Sequence, residues 1–141
     1  MAGTNGTAVG RDHNAVIVAD GIYVNLKAGE SITFYCYKSG GDTYTVNEGT
    51  AAGGGTTAAL AKITDYYTSD GVGGVWTKVT QAVGSAVTTV ADGVAITINA
   101  EQLSDGKTFI NCASTSTGTV TAVVSKLKTQ RTPANLPSLI V

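Results

Sequence analysis

The chain has 141 residues, of which 43% are hydrophobic and 13% charged, with a formal net charge of −1. That length fits one domain with a core of its own, and its apolar share excludes a disordered chain. The near-neutral balance leaves no electrostatic footprint for nucleic acid, and no apolar run approaches the roughly 20 residues that span a bilayer.

The chain opens with Met1-Ala2-Gly3-Thr4-Asn5-Gly6-Thr7, which has neither a basic start nor an apolar stretch. A secretory leader is therefore not expected there, and the protein is expected to be made in a cytoplasm. Residues 1–14 read as a flexible polar arm ahead of a β domain over 15–129. The first β-rich run is Ala15–Ala19, closed by Asp20-Gly21, and the second is Ile22–Leu26. Ser31-Ile32-Thr33-Phe34-Tyr35-Cys36-Tyr37 alternates, which places Ile32, Phe34 and Cys36 on the core face and Thr33, Tyr35 and Tyr37 on the other.

A turn at Ser39–Asp42 leads into Thr43–Asn47, and Glu48–Thr57, centred on Gly53-Gly54-Gly55, reads as a loop with little order of its own. Ala58–Tyr67 fits two patterns: Leu60, Ile63 and Tyr67 make a helical stripe, while Ile63–Tyr67 also suits a strand. A strand from about Ala61 is favoured, because the Gly-rich loop Ser69–Gly74 runs straight into Val75–Val79. Ser85–Val90, Val94–Asn99, Thr108–Ala113 and Thr119–Lys126 complete the series. Ala91-Asp92-Gly93, Ser104-Asp105-Gly106 and Ser116-Thr117-Gly118 part them, and Asp-Gly is a strong turn signal. Strands at this spacing, with no βαβ alternation, predict an all-β fold: one antiparallel β-sandwich, jelly-roll-like, or a small barrel. Residues 130–141 break the rhythm. They hold both prolines of the chain and end Leu139-Ile140-Val141, so they predict an extended C-terminal arm with an apolar tip.

Residues that could carry chemistry are sparse. The single His13 sits beside the expected arm, where a triad would lack a rigid support. Neither G-x-S-x-G nor H-E-x-x-H occurs. A glycosidase pair of carboxylates is open to any sequence with spare acids, but most acids here flank glycine in turns. One His and two distant Cys make no zinc motif, and Asp70 and Asp105 suit Asp-Gly turns better than a calcium loop. The Gly-rich stretches match no phosphate-cradling motif. No cofactor or metal is expected, and no enzymatic activity. Cys36 and Cys112 fall in predicted strands and are expected reduced and buried. Trp76, with Tyr66 and Tyr67 across one hairpin loop, suggests sugar stacking if exposed, but a single Trp is expected inside.

An apolar, proline-stiffened arm favours joining subunits. Arg131, Pro133, Leu136, Pro137, Leu139, Ile140 and Val141 are the candidate partner-binding residues, with the arm expected to dock between subunits. Three stretches, Trp76–Thr80, Ala100–Gly106 and Leu127–Pro137, resemble small virion proteins of tailed bacteriophages, the head-decoration or cement proteins. Arg131-Thr132-Pro133-Ala134-Asn135-Leu136-Pro137 is the most distinctive. The resemblance covers about residues 75–137. It implies attachment to the outside of a capsid without enzymatic activity or cofactor, with the major capsid protein as the expected partner, while the arm leads to the expectation of a homo-oligomer. A tail, neck or fibre component and a carbohydrate-binding β-sandwich module are the alternatives.

Overall fold

The structure is a computed structural model that describes residues 8–141. Of the predicted N-terminal arm, residues 1–7 lie outside the described residues. The rest of that arm belongs to the domain. Ala8–Arg11 forms a turn, and β1 (His13–Val16) pairs antiparallel with β11 (Thr119–Ser125).

The remaining strands are β2 (Val24–Asn25), β3 (Ser31–Tyr37), β4 (Asp42–Ala51), β5 (Gly54–Ala59), β6 (Ile63–Ser69), β7 (Thr77–Gly84), β8 (Ala86–Thr89), β9 (Gly93–Asn99) and β10 (Phe109–Ser114). They build a six-stranded sheet in the order β1-β11-β3-β9-β6-β7 and a five-stranded sheet in the order β2-β10-β4-β5, with β8 also paired to β4. All the strand pairs are antiparallel. The two sheets pack face to face as a sandwich and do not close, so of the two predicted architectures the barrel is excluded.

Alternation fills the space between the sheets. Ile32, Phe34 and Cys36 of β3, Val94, Ile96 and Ile98 of β9, and Val120, Ala122 and Val124 of β11 point inward from one sheet. Tyr44 and Val46 of β4, Val87 of β8, and Ile110 and Cys112 of β10 meet them from the other. Burying each such aliphatic side chain contributes roughly 1.5–3 kcal/mol before ordering costs. The predicted division of Ser31–Tyr37 into two faces holds, as does the preference for a strand over a helix after Ala61.

Four expectations change. The first strand ends at Val16, not Ala19: Ile17 and Val18 are exposed where the chain crosses from one sheet toward the other. There the backbone N–H of Ala19 donates to the Val120 carbonyl, and Asp20 bridges to Cys112. The second strand is only Val24–Asn25. Glu48–Thr57 is not a loose loop. β4 runs on to Ala51, and β5 returns along it. Gly53, Gly54 and Gly55 all have positive φ, at 77, 110 and 63°. That conformation costs glycine little and makes the reversal tight, so a Gly-rich run that reads as slack closes a hairpin.

The fourth change concerns the tail. It does not extend away, and its apolar end is buried only in part, since Ile140 and Val141 stay exposed. Pro133–Asn135 forms a 3-10 turn, the Arg131 N–H donates to the Gly10 carbonyl, and Asn25 N–H donates to the Leu139 carbonyl at 2.6 Å. Leu139 is 6% exposed and joins the core. Asn25 Nδ2 also donates to the Val141 carbonyl at 2.9 Å. The tail thereby covers the edge of the five-stranded sheet at β2, an edge that would otherwise present unpaired backbone groups. Gly10, with φ 94°, lies so close to the Arg131 carbonyl that a Cβ there would come within 2.2 Å of its oxygen.

Candidate functional site: an aromatic face beside a polar cleft

The outer face of the six-stranded sheet carries the least expected surface of the molecule. β3 is central to that sheet, so side chains at Thr33, Tyr35 and Tyr37, opposite in sense to its buried ones, stand on the outside. The register then sets their neighbours. Tyr35 lies opposite Thr121 of β11 and Ala95 of β9, Ala95 lies opposite Tyr67 of β6, and Tyr67 lies opposite Lys78 of β7. One cross-strand row therefore reads Thr121, Tyr35, Ala95, Tyr67, Lys78. The next row runs Thr119, Tyr37, Gly93, Ser69. Two tyrosines separated by alanine across three strands stand on the order of 10 Å apart, with a low floor between them.

Trp76 joins this face from the β6–β7 loop. It is 41% exposed, and its ring lies 6.1 Å from that of Tyr35 at an interplanar angle of 55°. The expectation of a core tryptophan is thus overturned. The sandwich interior is already filled by aliphatic residues with Phe34, Tyr44 and Tyr66, and Trp76 follows a turn at the sheet's end. Tyr35, Tyr37 and Tyr67 are exposed to a similar degree, at 46, 47 and 42%. Tyr66, the third aromatic of the expected sugar cluster, points inward and is buried.

Hydroxyls and charges border the rings. Thr33 Oγ1 and Thr97 Oγ1 share a hydrogen bond at 2.9 Å, and Lys78 Nζ lies 3.4 Å from Asp65 Oδ2. That ion pair is exposed and contributes little to stability. On the other side of Tyr35 the face drops into a cleft of about 710 Å3 whose walls include Arg11, Asp12, His13, Lys126 and Gln130. His13 is half-buried on β1, opposite Ser125. Asp12 and Ser125 line the same cleft. Among the described residues no three metal-ligating side chains come together.

The sandwich has a second distinctive surface at the end where β6 leaves its sheet and β9 enters it. The β6–β7 loop and the β8–β9 turn flank one shallow depression there, lined by Asp70, Val75, Val90 and Asp92 among others. Val72, Val75 and Val90 are 90, 75 and 88% exposed. The loop that displays two of them is held by Asp70, whose Oδ1 accepts from the N–H groups of Val72 and Gly73 at 2.9 Å. Those backbone bonds to Gly73 and Val72 hold the Asp70 carboxyl below its ordinary pKa. The predicted turn role of Asp70 is what the geometry gives it.

The residues expected to bind a partner are dispersed by the fold. Leu139 is in the core and Leu136 half-buried, beneath the tail and beside a cleft that also touches Lys27, Leu127 and Arg131. Arg131, Pro133, Pro137, Ile140 and Val141 are exposed along the tail's outer side. Sequence reasoning named Trp76 and Tyr67 but missed Tyr35 and Tyr37 as partners. The alternation of Ser31–Tyr37 had already put both on the outer face, and only the strand order brings Tyr67 to them. Comparison with protein-family models, with curated proteins and with solved structures finds no match to this chain.

Proposed function

We propose that this chain is a structural virion protein: a decoration or cement protein that binds the outside of a tailed-phage head and bridges neighbouring copies of the major capsid protein. It acts by binding, without catalysis or cofactor, as a homo-oligomer made in the host cytoplasm and carried on the capsid surface. The observation that carries this reading is the pair of exposed valines Val75 and Val90 lining one depression at an end of the sandwich, with exposed Val72 on the same loop as Val75. Apolar side chains displayed on ordered loops suit contact with another protein. A sandwich whose strand pairings are mostly long-range is a stiff block through which to transmit load between subunits. The resemblance of residues 75–137 to cement proteins points the same way. Arg131, Pro133, Pro137, Ile140 and Val141 are positioned to add contacts along the tail, while Leu139 serves its own domain.

Reconstitution tests the reading. Particles stripped of this protein should regain full occupancy with the wild-type chain, and with it resistance to loss of packaged DNA on heating. Val72→Thr, Val75→Thr and Val90→Thr combined should lower occupancy at an unchanged melting temperature. Equal occupancy by this variant would move attachment to another surface. The exposed ring of Trp76 beside Tyr35 favours a second reading, a carbohydrate-binding module.

A further inference from the structure

We infer that the outer face of the six-stranded sheet, from the Tyr35–Trp76 pair into the cleft beside His13, is a binding site for an unbranched oligosaccharide. The inference stands apart from capsid attachment, which uses the valine-bearing loops at the end of the sandwich.

A pyranose ring has two chemistries. Its C–H face is apolar and stacks on an aromatic ring, while its rim of hydroxyls needs donors and acceptors held in place. The face supplies both in the order a sugar chain would meet them. Tyr35 and Trp76 offer rings at 6.1 Å, tilted by 55° and each more than two-fifths exposed. Aromatic groups of this kind combine an apolar body with a polar tip. Tyr67 stands two strands from Tyr35 across the small side chain of Ala95, a span of about 10 Å that accommodates successive rings of one chain. Tyr35 also lines the cleft whose walls carry Arg11, Asp12, His13, Lys126 and Gln130. These give donors and acceptors together, which is what vicinal hydroxyls require.

The same features disfavour a protein partner at this face. The core of a protein interface is depleted of charge. Here Tyr37 lies opposite Thr119, Tyr67 opposite Lys78, and Tyr35 on the polar cleft. Nucleic acid is disfavoured by the chain's net charge of −1 and by the acidic groups Asp12 and Asp65 at the two ends of the face.

Trp76 is the single tryptophan, so its fluorescence reports directly on the site. The purified full-length chain is titrated with cellohexaose, chitohexaose and mannohexaose, with calorimetry in parallel. At least one of the three should give a saturable change in Trp76 emission with a sub-millimolar dissociation constant. Tyr35→Ala and Trp76→Ala should each weaken that binding by about tenfold or more, the loss expected for a stacking ring. His13→Ala and Gln130→Ala should weaken it by a few-fold. All four variants change surface or half-buried side chains and should keep the wild-type melting temperature. Occupancy on the particle should be unaffected by any of them, which separates this inference from the attachment reading. No binding of any of the three sugars at millimolar concentration overturns the inference. So does wild-type affinity in the Tyr35→Ala, Trp76→Ala double variant. A change of oligomeric state in Trp76→Ala, read by light scattering, overturns it too and makes the face a protein interface.

Discussion

Cys36 and Cys112 come from opposite sheets, and their sulfurs lie 3.8 Å apart in the core. The hydrogen bond to Cys36 and burial both push the Cys112 thiol well above its ordinary pKa. The thiolate is the reactive form of Cys112, and both sulfurs are buried away from reagent, so neither cysteine of the native protein should react with a thiol reagent at pH 8, and both should react at once in denaturant. Rapid labelling of either one in the folded state would contradict this account. Tyr44 poses a different question. Its hydroxyl is buried with no hydrogen-bond partner, and burial raises its pKa far above the ordinary value. An unmet buried hydroxyl costs about 1–3 kcal/mol. Tyr44→Phe should therefore leave stability to urea unchanged or raise it by ~1 kcal/mol. A loss of that size would mean that the hydroxyl is satisfied after all. Asp42 works in the opposite sense. Burial acts to raise its pKa, but hydrogen bonds from Ser114, the Thr43 backbone and Thr115, with Lys38 nearby, bring it below the ordinary 3.8. A depressed folded-state pKa gives stability that is complete above the unfolded value and lost as pH falls through the folded one. Stability should decline below about pH 4, and Asp42→Asn should flatten that decline. An unchanged acid limb in the variant would assign the decline to other carboxylates.

The C-terminal tail decides the account at the level of elements. Leu139 fills a core position and the tail backbone covers the β2 edge, so Leu139→Ala should cost about 2–3 kcal/mol, in the range for truncating a buried leucine. Deleting residues 136–141 should lower the melting temperature as well as expose that edge. A fully stable truncated protein would restore the picture of an arm that docks elsewhere. Why the tail was misjudged is physically clear. Two prolines and a terminal Leu-Ile-Val do indicate extended backbone with an apolar end, but nothing local says which surface receives it. The receiving positions, Gly10 and Asn25, lie more than a hundred residues earlier in the chain. Gly53–Gly55 misled in another way. The hairpin there is held by backbone pairing from β4 to β5, which leaves no hydrophobic pattern, and the side chains of β5 are nearly all exposed. Where alternation was strong, as in β3 and β9, the strand and its buried face could be read directly. Glu48 shows the limit of such reading. It is 3% exposed at an inward position of β4, held by the N–H and hydroxyl of Ser104 at 2.9 and 2.6 Å. No local pattern pairs positions so far apart.

At the scale of the whole molecule, the sandwich was legible because its signals are short-range: period-two alternation and Asp-Gly turns. The candidate site was legible only in its parts. Trp76 and Tyr67 could be named, but their meeting with Tyr35 depends on β9 lying between β3 and β6, which no local feature encodes. The valine-tipped end is likewise a product of topology, since it joins the β6–β7 loop to the β8–β9 turn. Ile17, Val18 and Val83 are exposed as well, so what sets the two surfaces apart is that each groups its apolar side chains, and that grouping calls for a use. Attachment to a capsid is the use proposed here, and it makes a numerical demand on the particle. Quantitative mass spectrometry of purified virions measures the copy number of this chain against that of the major capsid protein. A decoration protein predicts many copies, in a fixed simple ratio to the capsid subunit and lost together when the head surface is stripped. A handful of copies per particle, or none, would contradict it.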